Sequence, residues 1–337
     1  MKILVTGAAG FIGFYTVKRL LERGDEVIGL DNINNYYDIN LKYARLAILG
    51  IDNKDIKYGR LIKSSLPHFQ FIQLNLEDRN VLPLLFEKEN FDRVINLAAQ
   101  AGVRYSILNP FAYVDSNLVG FVNILESCRH NKVPYLIYAS SSSVYGTNDK
   151  VPFSEDDKVD NPVSLYAATK KANELMASAY TRLYDLSAVG LRFFTVYGPW
   201  GRPDMAPMLF TEAIANGKPI KVFNNGDLQR DFTYIDDIVE GIIKVLEKMP
   251  SLHNDRRHIV YNIGCSKPIK LMKFIEMIEN TLEKKAEKIF LPMQPGDVYQ
   301  TFADTTHLEQ EVGYKPKVAL KDGIRKFIEW YKLQYID

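Results

Sequence analysis

The chain has 337 residues, 47% of them hydrophobic and 25% charged, with 42 Lys+Arg against 41 Asp+Glu for a net charge of +1. These values describe a folded, mixed globular protein of roughly two domains with a sizeable core, and exclude disordered, collagenous and coiled-coil compositions. The even charge balance lacks the basic footprint of a nucleic-acid binder, which turns attention to small ligands. Cys128 and Cys265 stand far apart, in no metal-ligand spacing, so neither a disulfide framework nor a metal site is expected and the chain reads as cytoplasmic. No run of about 20 apolar residues is present to span a membrane. Ile3–Val17 follows a lysine but carries three spaced glycines and no small-x-small cleavage site, so no signal peptide is expected.

In chain order, short apolar runs at Ile3–Val5, Val27–Leu30, Phe71–Leu74, Val94–Ala98, Tyr135–Ala139 and Ala188–Leu191 alternate with helix-period stretches such as Phe14–Arg23, Asn117–His130 and Leu165–Leu183. Continuous apolar strands imply burial on both faces, as in a parallel sheet. The alternation predicts an α/β, Rossmann-like, doubly wound parallel sheet. Between the second and third runs, Asn34–Pro67 is longer than a simple crossover, and Leu41, Ala44, Arg45 and Leu49 give it a helical period. Beyond residue 190, Pro199, Pro203, Pro207 and Pro219 break the rhythm and Asn224–Gly226 reads as a turn. A helix is expected to follow Asp236–Asp237, which suit N-cap positions. Val260–Ile263 reads as one more sheet strand, and Met272–Leu282 and Leu320–Tyr331 as helices of a smaller unit. The expected division is a cofactor domain over 1–190, with 235–264 returning to it, and a discontinuous second domain over 191–234 and 265–337.

Gly7-Ala8-Ala9-Gly10-Phe11-Ile12-Gly13 follows the first strand and opens the first helix. Glycines there permit a tight turn and close backbone approach to a pyrophosphate, and the helix N-terminus presents free N–H groups to it. Asp31 ends the second strand, where a carboxylate accepts hydrogen bonds from adenosine ribose hydroxyls. It repels a 2′-phosphate, and residues 32–34 supply no cation to offset that, so NAD is favoured over NADP. Tyr166 and Lys170 stand four apart in a helical stretch, hence on one face. A neighbouring ammonium lowers a phenol pKa that is ordinarily ~10, which suits a general base. Ser140–Ser143 follow a strongly apolar strand, at the end of a parallel strand where ligands bind. A serine there can hydrogen-bond the hydroxyl that Tyr166 deprotonates.

With Leu97–Gly102, Ser140–Gly146, Arg192–Pro199, Arg230-Asp231-Phe232 and Pro295-Gly296-Asp297 added, the chain resembles the extended short-chain dehydrogenase/reductase family along its whole length, in particular nucleotide-sugar epimerases. Ala101–Ser106 and Gly201–Ala206 resemble the branch that inverts C4 of UDP-glucuronate to give UDP-galacturonate for polysaccharide synthesis. The resemblance implies that NAD stays bound, that C4 is oxidised to a transient ketone, and that the sugar turns over before reduction on its other face. It implies Tyr166 as base, Lys170 beside it, Ser141 as hydroxyl partner, and Ser142 and Ser143 as assistants. Dehydratases of this kind carry an Asp-Glu pair at Ser142-Ser143 and decarboxylases a Glu at Ser143, so two hydroxyls favour simple epimerisation. Asn32, Asn75, Leu76, Leu97, Ala98 and Ala99 are implied cofactor contacts, and Thr195, Val222, Phe223, Arg230 and Asp297 substrate contacts. A 4-keto hexuronate is a β-keto acid that loses CO₂ readily. Its carboxylate calls for planar bidentate recognition, with Arg202 the first candidate and Arg104 the second. Thr195, Gln294 and Asn75 depart from residues common in relatives. Tyr105, Tyr113, Tyr145 and Tyr197 read as packing residues. The broad apolar faces of Asn117–His130 and Leu165–Leu183 imply a homodimer. Competing expectations are an epimerase of a neutral or N-acetylated UDP-hexose, a UDP-glucuronate decarboxylase, and a non-catalytic NAD-binding regulator.

Overall fold

Ile3–Val5 are fully buried between helices in a computed structural model that describes residues 1–248, 257–294 and 296–336. Pro295 of the Pro295-Gly296-Asp297 motif lies outside the described residues. The first half of the chain alternates strands and helices: β1 (Lys2–Thr6), α1 (Phe11–Glu22), β2 (Glu26–Asp31), α2 (Ile39–Ile48), β3 (Leu61–Lys63), β4 (Phe69–Gln73), α3 (Val81–Glu89) and β5 (Arg93–Asn96). Two short helices, α4 (Tyr105–Leu108) and α5 (Pro110–Tyr113), lead through a π-helical segment, Val114–Val119, into α6 (Gly120–His130). Then come β6 (Tyr135–Ser141), α7 (Leu165–Leu183), β7 (Ser187–Phe193) and β8 (Thr195–Tyr197). The remainder is α8 (Ala206–Ala215), β9 (Ile220–Val222), β10 (Gln229–Tyr234), α9 (Ile235–Lys248), β11 (His258–Ile263), β12 (Pro268–Lys270), α10 (Leu271–Leu282), β13 (Lys288–Phe290), α11 (Thr306–Val312) and α12 (Leu320–Tyr335).

Eight strands form the central sheet in the order β11-β7-β6-β5-β1-β2-β4-β3, parallel except where β3 runs against β4. This is the predicted doubly wound sheet. The order reverses between β1 and β5, and the crevice at such a switch point is where ligands bind. Val260–Ile263 does join the sheet, as the end of β11, which extends it beyond β7. α9 lies against α1, with Arg19 bonded to Glu240 and Arg23 to Glu247. Beside the main sheet stand a three-stranded sheet, β12-β10-β8, and the parallel pair β13-β9.

Three local expectations differ from the structure. Asp236 and Asp237 lie inside the first turn of α9 rather than capping it, and Asp237 accepts from the amides of Lys317 and Val318. That ties α9 to the segment entering α12. Pro207 opens α8 instead of breaking the chain, because its missing N–H falls where a helix has no acceptor for one. The Asn117–His130 stretch begins earlier and in π-helical form. There Asn117, 2% exposed, accepts from the amide of Gln100 and donates to Gln100 O and Thr169 Oγ1. A wide helical turn at this point joins the loop after β5 to α7.

Behind the sheet, Tyr138 of β6 stacks on His258 of β11 at 6.0 Å and shares a 2.7 Å hydrogen bond with its Nε2. Burial, aided by Arg182, Arg192 and Lys171 and opposed by Glu174, pushes the imidazole down to about 4. Between pH 6.5 and 4 the folded chain therefore holds fewer protons at His258 than the unfolded one, so acidification through that window destabilises the fold. A full shift of this size corresponds to about 3 kcal/mol. His258→Gln is expected to flatten this part of the pH profile, read as the thermal midpoint at pH 7 against pH 4.5.

Candidate active site

At the carboxyl ends of β1, β2, β5 and β6 lies one cleft, and the sequence explains how each strand feeds it. β1 ends in the glycine turn. Gly7 adopts φ +72°, and a Cβ there would stand 2.9 Å from the Ala98 amide nitrogen, so only glycine lets this turn reach the loop after β5. No side chain caps α1, and no acidic residue stands in its first turn. Its first amides are left for an anion. Asp31, at the end of β2, accepts from Ala9 N at 3.2 Å and Ile33 N at 2.8 Å, which fastens the turn to the strand.

Two residues of α2 reinforce that cradle. Lys42 is 5% exposed, with Nζ 3.5 Å from Asp31 Oδ1 and 3.0 Å from Asn34 Oδ1. Arg45 is fully buried and donates to Ala9 O at 2.9 Å, Tyr37 Oη at 2.8 Å and Trp200 O at 2.6 Å. The residues after Asp31 supply no cation, but Lys42 does, from a helix farther along. The available signal was a lysine and an arginine on the apolar stripe of a helix that follows Asp31.

On the other side of the cleft, β6 leads into Ser140–Ser143. Ser140 Oγ donates to Glu174 Oε1 at 2.7 Å, and Ser141 Oγ accepts from Ser143 N at 3.1 Å. Ser164 caps α7 by accepting from Ala167 N, which starts the helix so that Tyr166 and Lys170 share its inner face. Arg192 forks onto Glu174 at 2.8 and 2.9 Å, both side chains 4% exposed, and donates to Tyr145 Oη. That buried pair locks α7 against β7 and the serine loop.

Burial raises the Tyr166 phenol above its ordinary value, while a hydrogen bond with Ser141 and the charge of Arg202 pull it down. Lys170, wholly enclosed, is pushed down to about 8, and its Nζ donates to Ala139 O at 2.9 Å. The expected lowering of the phenol is reversed: desolvation dominates, and the groups that oppose it are Ser141 and Arg202 rather than Lys170.

Of the residues singled out from sequence, Gly7, Gly10, Phe11, Ile12, Gly13, Asp31, Asn32, Leu76, Leu97, Ala98, Ala99, Ser141, Ser142, Ser143, Tyr166, Lys170, Thr195 and Arg202 line this cleft. Asn75 stands between lining residues Leu74 and Leu76 without lining it itself. The others gather in a second cluster. The Arg104 guanidinium lies 5.1 Å from the Phe223 ring centre, Arg230 bonds Asp297 at 2.5 Å, and Val222 is fully buried beneath. Burial lowers the Arg230 guanidinium below its ordinary value, Asp297 opposes that, and Arg104 lies close enough to add to the lowering. The structure therefore separates the two candidate arginines: Arg202 faces Tyr166, and Arg104 faces Phe223 and Arg230. Tyr36 also lines the cleft and was not singled out, while Gln100 and Met205, which line it too, fall within the motifs Leu97–Gly102 and Gly201–Ala206.

The glycine cradle, the uncapped α1 terminus and Asp31 fit a dinucleotide with a free ribose, as NAD has. Among the described residues no cluster of His, Cys, Asp and Glu could hold a metal.

Comparison with known proteins agrees. The model of the NAD dependent epimerase/dehydratase family matches residues 3–264. Protein CapI of Staphylococcus aureus is 50% identical over 347 residues, covering 99% of each chain. A probable UDP-glucuronate 4-epimerase of Rhizobium meliloti is 45% identical over 348 residues, covering 99% of this chain and 98% of its own. A crystal structure of UDP-glucuronic acid 4-epimerase from Bacillus cereus, with UDP-glucuronic acid and NAD, superposes with a TM-score of 0.88 at 35% identity, over 99% of this chain and 100% of that one. Sequence, fold and cleft agree along the whole chain, and it belongs to the NAD dependent epimerase/dehydratase family.

Proposed function

We propose that this protein interconverts UDP-glucuronate and UDP-galacturonate by inverting C4 through a transient 4-keto sugar. The observation that carries the reading is the meeting of Tyr166, Ser141 and Arg202 in one cleft, opposite the glycine turn. Likeness to enzymes that act on UDP-glucuronate supports it. Gly7–Gly13, Asp31, Asn32 and Leu97–Ala99 hold NAD, with Asn75 and Leu76 toward its adenine. When bound, NAD oxidises C4 and returns the reducing equivalent to it. Tyr166 takes the proton from the 4-hydroxyl and gives it back after the sugar has turned. Ser141 hydrogen-bonds that hydroxyl, and Lys170 supports the phenolate. Ser142 and Ser143 are neutral, so neither offers the acid or base that elimination of water requires. Arg202 holds the C6 carboxylate, with Thr195 alongside. Arg230 grips the diphosphate, with Asp297 holding its guanidinium and Arg104 close by, and Val222 and Phe223 border the uracil.

In this reading 1–190 with 235–264 forms the cofactor domain, and 191–234 with 265–337 the sugar-nucleotide domain. The protein works in the cytoplasm, in acidic polysaccharide synthesis, as a homodimer pairing the faces of α6 and α7. Leu175 of α7, and Ile107, Leu108 and Phe111 of the short helices α4 and α5 that precede α6, support the dimer, each more than half exposed. Leu175→Glu is expected to shift the protein from dimer to monomer in sedimentation equilibrium.

The activity is tested by incubating purified protein with UDP-glucuronate, without added NAD, and following products by NMR. UDP-galacturonate rising toward an equilibrium mixture supports the reading and shows that NAD is retained. A UDP-pentose as main product, or no reaction even with NAD supplied, overturns it.

A further inference from the structure

Arg202 enters the cleft already held. Its Nε donates to Asp204 Oδ1 at 3.0 Å and its NH2 to Asp204 Oδ2 at 2.5 Å, a side-on fork. Tyr36 Oη donates to the same Oδ2 at 2.9 Å, and the Tyr36 ring centre lies 5.9 Å from the guanidinium carbon. Residue 102 must be glycine for this to happen, because a Cβ there, at φ +102°, would overlap the Tyr36 hydroxyl. Three loops thus meet at one carboxylate: the loop after β2 with Tyr36, the loop after β5 with Gly102, and the loop after β8 with Arg202 and Asp204.

The fork occupies the Nε–NH2 edge of the guanidinium. Arg202 lines the same cleft as Tyr36, Ser141 and Tyr166. A guanidinium is planar and rigid, so anchoring one edge sets the direction of the other. An arginine tethered only by its flexible stem would follow a bound carboxylate wherever that group rotates. One clamped by Asp204 imposes an orientation instead.

We propose that Asp204 and Tyr36 are positioning residues that aim Arg202, and so fix where the substrate's C6 carboxylate sits, and with it the direction of the C5–C6 bond, while C4 is a ketone. This rests on the proposed function. In the 4-keto sugar the C5–C6 bond can break, with CO₂ leaving and the bonding electron pair passing into the C4 carbonyl as an enolate. C5 then takes a proton from water, and a 4-ketopentose results. That cleavage needs the C5–C6 bond aligned with the carbonyl π system. By holding the carboxylate near the plane of the C4 carbonyl, the Asp204–Tyr36 clamp keeps the C5–C6 bond out of that alignment for the lifetime of the ketone.

The test uses NAD-containing wild-type protein, Asp204→Asn and Tyr36→Phe, with UDP-glucuronate labelled with ¹³C at C6. Released ¹³CO₂ and UDP-galacturonate are counted together by NMR. In Asp204→Asn the ratio of CO₂ to epimer is expected to rise about tenfold, a change of roughly 1.4 kcal/mol between the two barriers. Tyr36→Phe, which removes a single hydroxyl, is expected to move the ratio in the same direction by a smaller factor. It carries the test alone if Asp204→Asn does not fold. A purely structural role would slow both products together and leave their ratio unchanged. An unchanged ratio in folded, NAD-loaded variants overturns the proposal. Failure of the wild type to make UDP-galacturonate overturns the proposed function instead.

Discussion

Tyr166→Phe is expected to lower turnover of UDP-glucuronate by about 10²–10⁴-fold, the usual contribution of a positioned proton-transfer group. Only the hydroxyl is lost. The ring remains packed edge-on against Tyr113 at 6.0 Å, and the backbone carbonyl still accepts from Thr169 Oγ1. Folding and NAD content should therefore stay at wild-type levels, read by thermal midpoint and by NAD released on denaturation. The loss should fall on kcat more than on KM, because Arg202 and the diphosphate cluster still bind the substrate. Turnover within tenfold of wild type would mean that another group moves the proton, and the role given to the Tyr166–Ser141 pair would be withdrawn.

Gly13→Ala is expected to abolish NAD retention. The added Cβ would overlap the carbonyl oxygen of Gly7, stand 2.7 Å from the Gly7 carbonyl carbon and 3.1 Å from Ala8 Cα. All three are backbone atoms, so no side chain can swing away. The turn cannot drift as a unit either. Ala8 N donates to Leu30 O, Ala9 N to Asp31, and Arg45 holds Ala9 O from below. Relief has to come from opening the turn, which separates the amides that face the pyrophosphate. Overpacking of this kind costs about 1–3 kcal/mol, seen as a drop of several degrees in thermal midpoint. The absorbance of bound NAD should vanish from the purified protein. Retention of NAD at wild-type stoichiometry would show that this turn does not cradle the cofactor.

Much of the fold was legible because parallel strands buried on both faces write themselves as unbroken apolar runs. Val27–Leu30 and Val94–Ala98 were found that way within a few residues of their true limits, and Leu165–Leu183 matched its helix at both ends. The weaker readings share one cause. Asp236 and Asp237 look like caps, yet tertiary bonding to Lys317 and Val318 draws Asp237 into the first turn instead. The π-helical start at Val114 is likewise imposed from outside, by the bonds of Asn117 to the loop after β5 and to α7.

The cleft divides along the same line. The glycine turn, Asp31 and the Tyr166–Lys170 pair were readable because their geometry is local: a strand end, a helix start and two residues one turn apart. The sequence by itself thus determined the cofactor cradle, the proton-transfer pair and the neutral serine loop. Tertiary structure decided what surrounds them. It set Lys42 beside Asp31, buried Arg45 on the carbonyls of Ala9 and Trp200, and separated Arg202 from Arg104. It also brought Tyr36 onto the local Arg202–Asp204 pair. Those contacts join loops far apart in the chain, and their register follows from how the whole sheet and its helices pack. No local period or spacing encodes them.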